Sequence, residues 1–309
     1  MARIVVIGGS GRVGSRVCRD LHRRGHRVIA LGRSRPGLDR LAPEIATAIV
    51  DLESPETVAP HLGDADIVVG CVHGHFIPAI LASLDRATRP AGGAEPSLAP
   101  GPRLILLGST WRYMKTANPA GESVRRGEAA FLASGRPGVI LHCSMIYGHA
   151  GDRNVARVLG VIRRWPKWLP LLIPLPGGGK SWLQPIHIDD VVAAVAKAVD
   201  DPGVDGAPII LAGPAPLTYA ELVRRCAELL DRRAWPIAIP SSVLAVLSDG
   251  LARLGLSPPL RAAEWRRAQE DKRFDVEPMR KRLGLQPRPF AAGLADSAAQ
   301  YGIAPAAKH

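Results

Sequence analysis

The 309-residue sequence lacks the marks of several large protein classes. Its four cysteines, Cys18, Cys71, Cys143 and Cys226, lie tens of residues apart without paired spacing. A disulfide framework or a zinc knuckle needs closer, regular pairs, so neither is expected. Aromatic residues make up only 5% of the chain, too few to line a basic surface with platforms for stacked bases. A membrane span needs roughly 18 or more consecutive apolar residues. The best candidate, W-L-P-L-L-I-P-L-P at 168–176, is cut by prolines. The first apolar run, I-V-V-I, breaks at glycines and is too short for a signal peptide. The expected setting is therefore the reducing cytoplasm.

What remains is a globular composition: 47% hydrophobic, 22% charged, with 32 Gly and 28 Pro marking frequent turns. At roughly 100–200 residues per domain, the length suggests two lobes or one large α/β unit. The net charge of +12 raises the question of nucleic acid or anionic lipid. The basic residues are spread in pairs over expected helices, as at Arg23-Arg24, Arg163-Arg164 and Arg224-Arg225, and acids interleave with many of them. That pattern suits solvated helix faces and an anionic cofactor or substrate. No nucleic-acid partner is expected.

Through the first 150 residues, short apolar runs alternate with amphipathic stretches. R-I-V-V-I-G (3–8), H-R-V-I-A-L (26–31), A-T-A-I-V-D (46–51), D-I-V-V-G-C-V (66–72), R-L-I-L-L-G-S (103–109) and G-V-I-L-H-C-S (138–144) read as strands. Strands that are apolar throughout and separated by helical patterns predict a parallel sheet covered on both faces. Right-handed crossovers then give a doubly wound α/β sheet of Rossmann type. The Gly/Pro-rich stretch 88–102 reads as a surface loop. Beyond residue 150 come Pro-rich segments, a helix at 189–199, a strand at 208–212 and several basic helices.

G-G-S-G-R-V-G (8–14) stands directly between a strand and a helix, the setting of a dinucleotide-binding turn. Gly8 permits the tight turn, Gly11 lets the backbone approach a pyrophosphate, and Gly14 allows close helix–strand contact. Ser10, Arg12 and Val13 complete the turn, and the helix start offers amide donors to phosphate. Where many such folds place an acid for the ribose 2′-hydroxyl, this chain has Gly32 and Arg33. A carboxylate would repel a 2′-phosphate and a guanidinium would bind it, so NADP(H) is expected over NAD(H). Asp51, with Leu52 beside it, ends the third strand where a carboxylate can accept from adenine. Cys71, Val72 and His73 end the fourth, beside the expected nicotinamide ribose. His73 and His75 have no carboxylate-bearing metal motif next to them, and no metal is expected.

These residues resemble the short-chain dehydrogenase/reductase superfamily, in particular its extended and atypical NAD(P)-dependent epimerase/dehydratase branch. The resemblance rests on G-G-S-G-R-V-G, L-I-L-L-G-S-T (104–110), V-I-L-H-C-S-M-I-Y-G (139–148), Q-P-I-H-I-D-D-V (184–191) and the tail L-G-L-Q-P-R-P-F-A-A-G-L (283–294). It implies a Rossmann domain of residues 1–149 plus 189–212. It also implies a smaller, interleaved α/β substrate lobe of residues 150–188 and 213–309. The branch uses a Ser/Thr after the fifth strand, matched by Ser109 and Thr110, and a Tyr-x-x-x-Lys on the next helix. That second element is missing: Gly121 and Arg125 stand at its positions. Glycine transfers no proton, and a guanidinium is no tuned acid. Tyr113, in S-T-W-R-Y-M-K with Lys115, is the local substitute, and Tyr147 and His187 are expected to line the substrate cleft. His142 stands where the branch often has an arginine.

Two functional readings follow. One is an NADP(H)-dependent oxidoreductase or epimerase-like enzyme for a small carbonyl or sugar-like substrate, with Ser109 and Tyr113 handling the proton. The other is a non-catalytic NADP(H)-binding redox sensor or assembly factor. The segment 165–181, with two tryptophans and two lysines around an apolar centre, reads as a packed arm of the second lobe or as a contact for a protein or membrane. The oligomeric state stays open.

Overall fold

The expected strands form, most within two residues of their predicted ends, and alternate with helices: β1 (Arg3–Ile7), α1 (Arg12–Arg23), β2 (Arg27–Gly32), α2 (Arg35–Leu38), β3 (Ala46–Ile49), α3 (Pro55–Val58), β4 (Ile67–Gly70), α4 (Ile77–Ala87), β5 (Arg103–Ser109), α5 (Pro119–Ala133) and β6 (Gly138–Cys143). The computed structural model describes residues 1–88, 101–114, 119–152, 154–253 and 270–303. The loop expected at 88–102 and Lys115 fall almost wholly outside them.

The chain divides into two compact units. The first comprises 1–144, 189–211 and 277–285, the second 145–188, 212–276 and 286–309. The first unit holds a seven-stranded parallel sheet in the order Ile209–Leu211, β6, β5, β4, β1, β2, β3. Strand order reverses between β1 and β4, and at such a switch point the loops at the strands' carboxyl ends open a ligand crevice. Burial explains the uninterrupted apolar runs: every residue of β4 and β6 is buried. Ile7, Leu31, Val68, Leu104 and Ile140 of the sheet pack with Ile80, Leu84 and Phe131 of α4 and α5. α1 contributes Val17, Cys18 and Leu21 from one face, and His22 and Arg23 in its last turn oppose the helix dipole.

The helix Glu277–Leu283 belongs to this first unit, whereas the sequence reading grouped it with the second lobe. Met279 and Leu283 are buried, and Arg282 donates to the carbonyls of Val204 and Ala207 at 2.7 and 2.6 Å. An amphipathic pattern shows that a helix buries a face, without showing against which sheet. The second unit also starts at residue 145, earlier than the expected 150.

The second unit is built from short strand pairs around one apolar cluster. Ile146–Tyr147 pairs with Ile186–His187, and Trp182–Leu183 with Leu217–Thr218. Leu171–Pro176 pairs in parallel with Ala234–Ile239. The last pair sits in the segment read as a Pro-rich arm. Proline cannot donate to a ladder and is confined to edges. A two-stranded sheet has only edges, so Pro174, Pro176 and Pro236 are tolerated. Asp152 ties the unit together from inside. Its carboxylate accepts the Asn154 and Ala156 amides at 3.0 and 2.9 Å, and the Tyr301 hydroxyl at 2.5 Å. Tyr301 in turn accepts the Gly148 amide at 2.8 Å. Burial and the Asp152 charge raise the Tyr301 hydroxyl pKa, so it remains a donor.

Candidate functional site

The turn after β1 is held by backbone bonds that fix it against β2. The Gly8 and Gly9 amides both donate to the Leu31 carbonyl, at 2.9 and 2.8 Å, and Gly11 donates back to Gly8 at 2.9 Å. Gly8 has φ +85°, a conformation that L side chains rarely adopt, and a Cβ there would lie 2.6 Å from the Cys71 carbonyl oxygen. A Cβ on Gly14 would run into the Gly8 carbonyl. α1 then begins at Arg12 with Gly11 as N-cap and no side chain capping it. The first-turn amides of Arg12, Val13 and Gly14 are thus free of a side-chain acceptor, next to the positive end of a three-turn helix. Such a cradle fits the pyrophosphate of a dinucleotide.

Ser10 carries the turn to the end of β2: a Cβ on Gly32 would lie 2.8 Å from that of Ser10. Arg33 follows at once. Both Arg33 and Arg12 are exposed, and neither forms an ion pair among the described residues. Asp51 is exposed after β3, where its Oδ1 accepts the Glu53 amide at 3.1 Å and its own amide donates to Thr57 Oγ1 at 3.0 Å. The Leu52 side chain is buried in the apolar cluster, which leaves its backbone as the part beside Asp51. Cys71 donates its amide to Ile7 at 2.8 Å, which places its backbone against Gly8. Val72 is half-buried, and exposed His73 meets His75 Nδ1 to Nδ1 at 2.8 Å. Burial and the neighbouring His75 lower the His73 pKa.

At the carboxyl end of β5, Ser109 accepts the Trp111 amide at 3.2 Å, and a single 3₁₀ turn, Thr110–Tyr113, follows. Thr110 is buried rather than open to a cleft. Tyr113 is 45% exposed, yet its hydroxyl meets His142 Nδ1 of β6 at 2.9 Å. His142 Nε2 meets Glu128 Oε1 of α5 at 2.5 Å, and Arg112 is ion-paired with the other oxygen of Glu128. An ionised carboxylate only accepts, so Nε2 carries the ring proton, Nδ1 accepts and Tyr113 donates. Burial and the Arg112 charge lower the His142 pKa to about 4, so the ring is neutral at pH 7. Burial likewise raises the Tyr113 pKa, against the pull of Arg112.

The sequence reading missed this linked set. Its only signals were a histidine inside the apolar strand G-V-I-L-H-C and a lone carboxylate on the apolar face of α5. Spacing could not join residues from three elements. Arg125, at the lysine position of the missing motif, donates to Glu122 at 2.8 Å and to the Arg112 carbonyl at 3.1 Å. Tyr147 and His187, expected in the cleft, are instead packed inside the second unit. Tyr147 is fully buried with its hydroxyl on the Phe290 carbonyl at 3.4 Å, and His187 Nε2 meets Ser297 Oγ at 2.7 Å.

Residues 8–90 match a family described as NAD(P)H-binding. The chain is 26% identical over 291 residues to an uncharacterised protein of Mycobacterium tuberculosis (strain ATCC 25618 / H37Rv), covering 92% of this chain but only 28% of that protein's length. It is 23% identical over 263 residues to the epimerase family protein YfhF of Bacillus subtilis (strain 168), covering 78% of this chain and 84% of that one. Among solved structures, the Citrobacter sp. triphenylmethane reductase complexed with NADP(H) superposes with a TM-score of 0.72 at 15% identity, covering 96% and 99% of the two chains. The Thermotoga maritima UDP-glucose 4-epimerase with UDP-glucose gives 0.71 at 16% identity, covering 97% and 98%. The chain therefore has the NAD(P)-binding fold of these epimerases and reductases. The domain match, the Bacillus relative and the fold bear out the short-chain dehydrogenase/reductase resemblance.

Proposed function

We propose that the protein is an NADP(H)-dependent oxidoreductase or epimerase-like enzyme for a small carbonyl or sugar-like substrate. The observation that carries this reading is the Tyr113–His142–Glu128 chain, which ends at the same carboxyl edge of the sheet as the glycine turn. A bound nicotinamide supplies or takes up the hydride. Tyr113 hands the accompanying proton to, or takes it from, the substrate oxygen. When a carbonyl is reduced, Tyr113 gives its hydroxyl proton to the substrate oxygen and takes a replacement from water. When an alcohol is oxidised, its proton passes to the Tyr113 oxygen as the tyrosine's own proton leaves to water. Neutral His142, held by Glu128, positions the Tyr113 hydroxyl. Ser109 offers a hydroxyl to the same oxygen. A small-molecule substrate and a cytoplasmic setting belong to this reading, and no described helix is long and apolar enough to cross a membrane.

Arg33 and Arg12 support NADP(H) over NAD(H), because both are exposed cations without an ion-pair partner among the described residues. A charge-assisted bond worth about 1.5–3 kcal/mol corresponds to a roughly 10- to 150-fold preference. Arg33→Ala is expected to weaken NADPH by about that factor and leave NADH unchanged. Equal losses for both dinucleotides would remove the assignment.

The activity is tested by following NADPH oxidation against small aldehydes and ketones, and by following NADP⁺ reduction or the change in sugar configuration with UDP-glucose, the ligand of the Thermotoga structure. Tyr113→Phe is expected to lower turnover about a hundredfold with NADPH affinity unchanged. Turnover indifferent to both Tyr113→Phe and Ser109→Ala would overturn the catalytic assignment. NADPH binding without turnover on any substrate would favour the sensor reading, to which Gly121 and Arg125 at the missing motif also point.

A further inference from the structure

The second unit carries an uncompensated charge that the site above does not use. From residue 153 to residue 188 the sequence holds six cations, Arg153, Arg157, Arg163, Arg164, Lys167 and Lys180, and no Asp or Glu. All but Arg153 are described, and none of those five forms an ion pair among the described residues. The first unit behaves differently: Arg3, Arg24, Arg103 and Arg136 are each held by an aspartate.

Arg163, Arg164 and Lys167 directly precede an exposed apolar face in the sequence. In the strand Leu171–Pro176, Leu171, Ile173 and Leu175 are buried, while Leu172 and Pro174 face solvent. Register sets Trp235 beside Leu172 and Ile237 beside Pro174. Trp235 is 60% exposed, and Trp168, in the turn that leads into the strand, is 82% exposed. Soluble proteins scatter exposed apolar residues singly, and contiguous patches mark contact surfaces. The chain ties this corner together: Arg232 at the start of the Ala234–Ile239 strand donates to the carbonyls of Ile162 and Trp165, both at 2.9 Å. Arg163 and Arg164 lie between those two carbonyls, and Lys167 adjoins Trp168. Glu228 on the neighbouring helix is already paired with Arg225, and exposed Asp231, just before Arg232, is outnumbered by the cations.

We propose that this face docks on an anionic lipid surface. Trp168, Leu172, Trp235 and Ile237 would enter the interfacial layer, with Arg163, Arg164 and Lys167 against the headgroups. Charge decides the occupant. A second copy would set like charges face to face, whereas an anionic leaflet neutralises them. Tryptophan, with an apolar ring and a polar N–H, suits the boundary between headgroup and acyl chain. Because no described helix is long and apolar enough to cross a bilayer, the attachment proposed is peripheral.

Sedimentation with vesicles tests this on the full chain. Phosphatidylcholine vesicles containing phosphatidylglycerol are expected to pellet the protein, and phosphatidylcholine alone is not. High salt should release it. Each cation near an anionic surface strengthens binding about fivefold. Arg163→Glu/Arg164→Glu/Lys167→Glu is therefore expected to weaken binding a hundredfold or more, and Trp168→Ser/Trp235→Ser about tenfold or more. All five side chains are exposed, and an unchanged melting temperature confirms the fold of each variant. Failure to pellet with phosphatidylglycerol, or equal pelleting by wild type and either variant, would overturn the proposal. A wild-type dimer abolished by the tryptophan variant would overturn it too, by assigning the face to a second copy.

Discussion

Valine in place of Gly14 is expected to abolish dinucleotide binding, with at least a hundredfold loss of NADPH affinity in a calorimetric titration. The reason is steric and has no flexible side chain to absorb it. The atom that a Cβ at Gly14 would meet is the Gly8 carbonyl oxygen, part of the backbone. That carbonyl is itself fixed, because it accepts the Gly11 amide at 2.9 Å. Gly8 cannot retreat, since it is at φ +85° and already packed against Cys71. The turn must therefore shift as a block, and the amides aimed at the pyrophosphate shift with it. A circular-dichroism melt separates lost binding from lost folding. Binding at the wild-type level would mean that the phosphates lie elsewhere.

Removing Glu128 is expected to be among the most damaging single changes to stability. Its side chain is 1% exposed, and it holds both buried His142 and Arg112. Breaking one partner out of a buried ion pair costs about 3–5 kcal/mol. Arg112 is 31% exposed and can turn towards water, so Glu128→Leu belongs near the lower end of that range. Urea unfolding measures it. The double variant Glu128→Leu/His142→Leu should recover part of the loss, because it leaves no orphaned buried ring nitrogen facing position 128.

The same set gives a pH dependence. His142 has a pKa lowered to about 4 in the folded protein, against 6.5 as the ordinary value. A depressed folded-state value means that the unfolded chain binds the proton more readily. The stability tied to the neutral ring is full above about pH 6.5 and is lost as pH falls towards 4. Wild-type melting temperature should decline across that window, and His142→Asn should flatten the decline. An unchanged slope would show that His142 does not titrate as described.

The first unit was the more legible part of the chain. A parallel sheet buried on both faces demands strands such as I-V-V-G and G-V-I-L-H-C, and glycines can be read where a turn must pass close to backbone. Gly8, Gly11 and Gly14 therefore announced the cradle. Less could be read where the decisive fact is a partner distant in sequence. The Leu171–Pro176 strand was hidden because its prolines argue against a sheet until the sheet is known to have only edges. Glu277–Leu283 has a helical pattern that does not name the sheet it packs on. Leu52, Tyr147 and His187 sit in motif-like positions, yet their side chains go into apolar clusters or onto internal partners. The linked set joins the turn after β5 with α5 and β6 through side chains 14 to 29 residues apart in sequence. No local pattern encodes such a meeting.

The proposed NADP(H) site joins the Gly8–Gly14 turn and Arg33. The most direct measurement is a calorimetric titration of the wild-type protein with NADPH and, separately, with NADH. One site is expected for NADPH, with NADH weaker by about tenfold or more. Failure of both dinucleotides to bind would contradict the proposed site, and equal affinity for the two would remove the role given to Arg33.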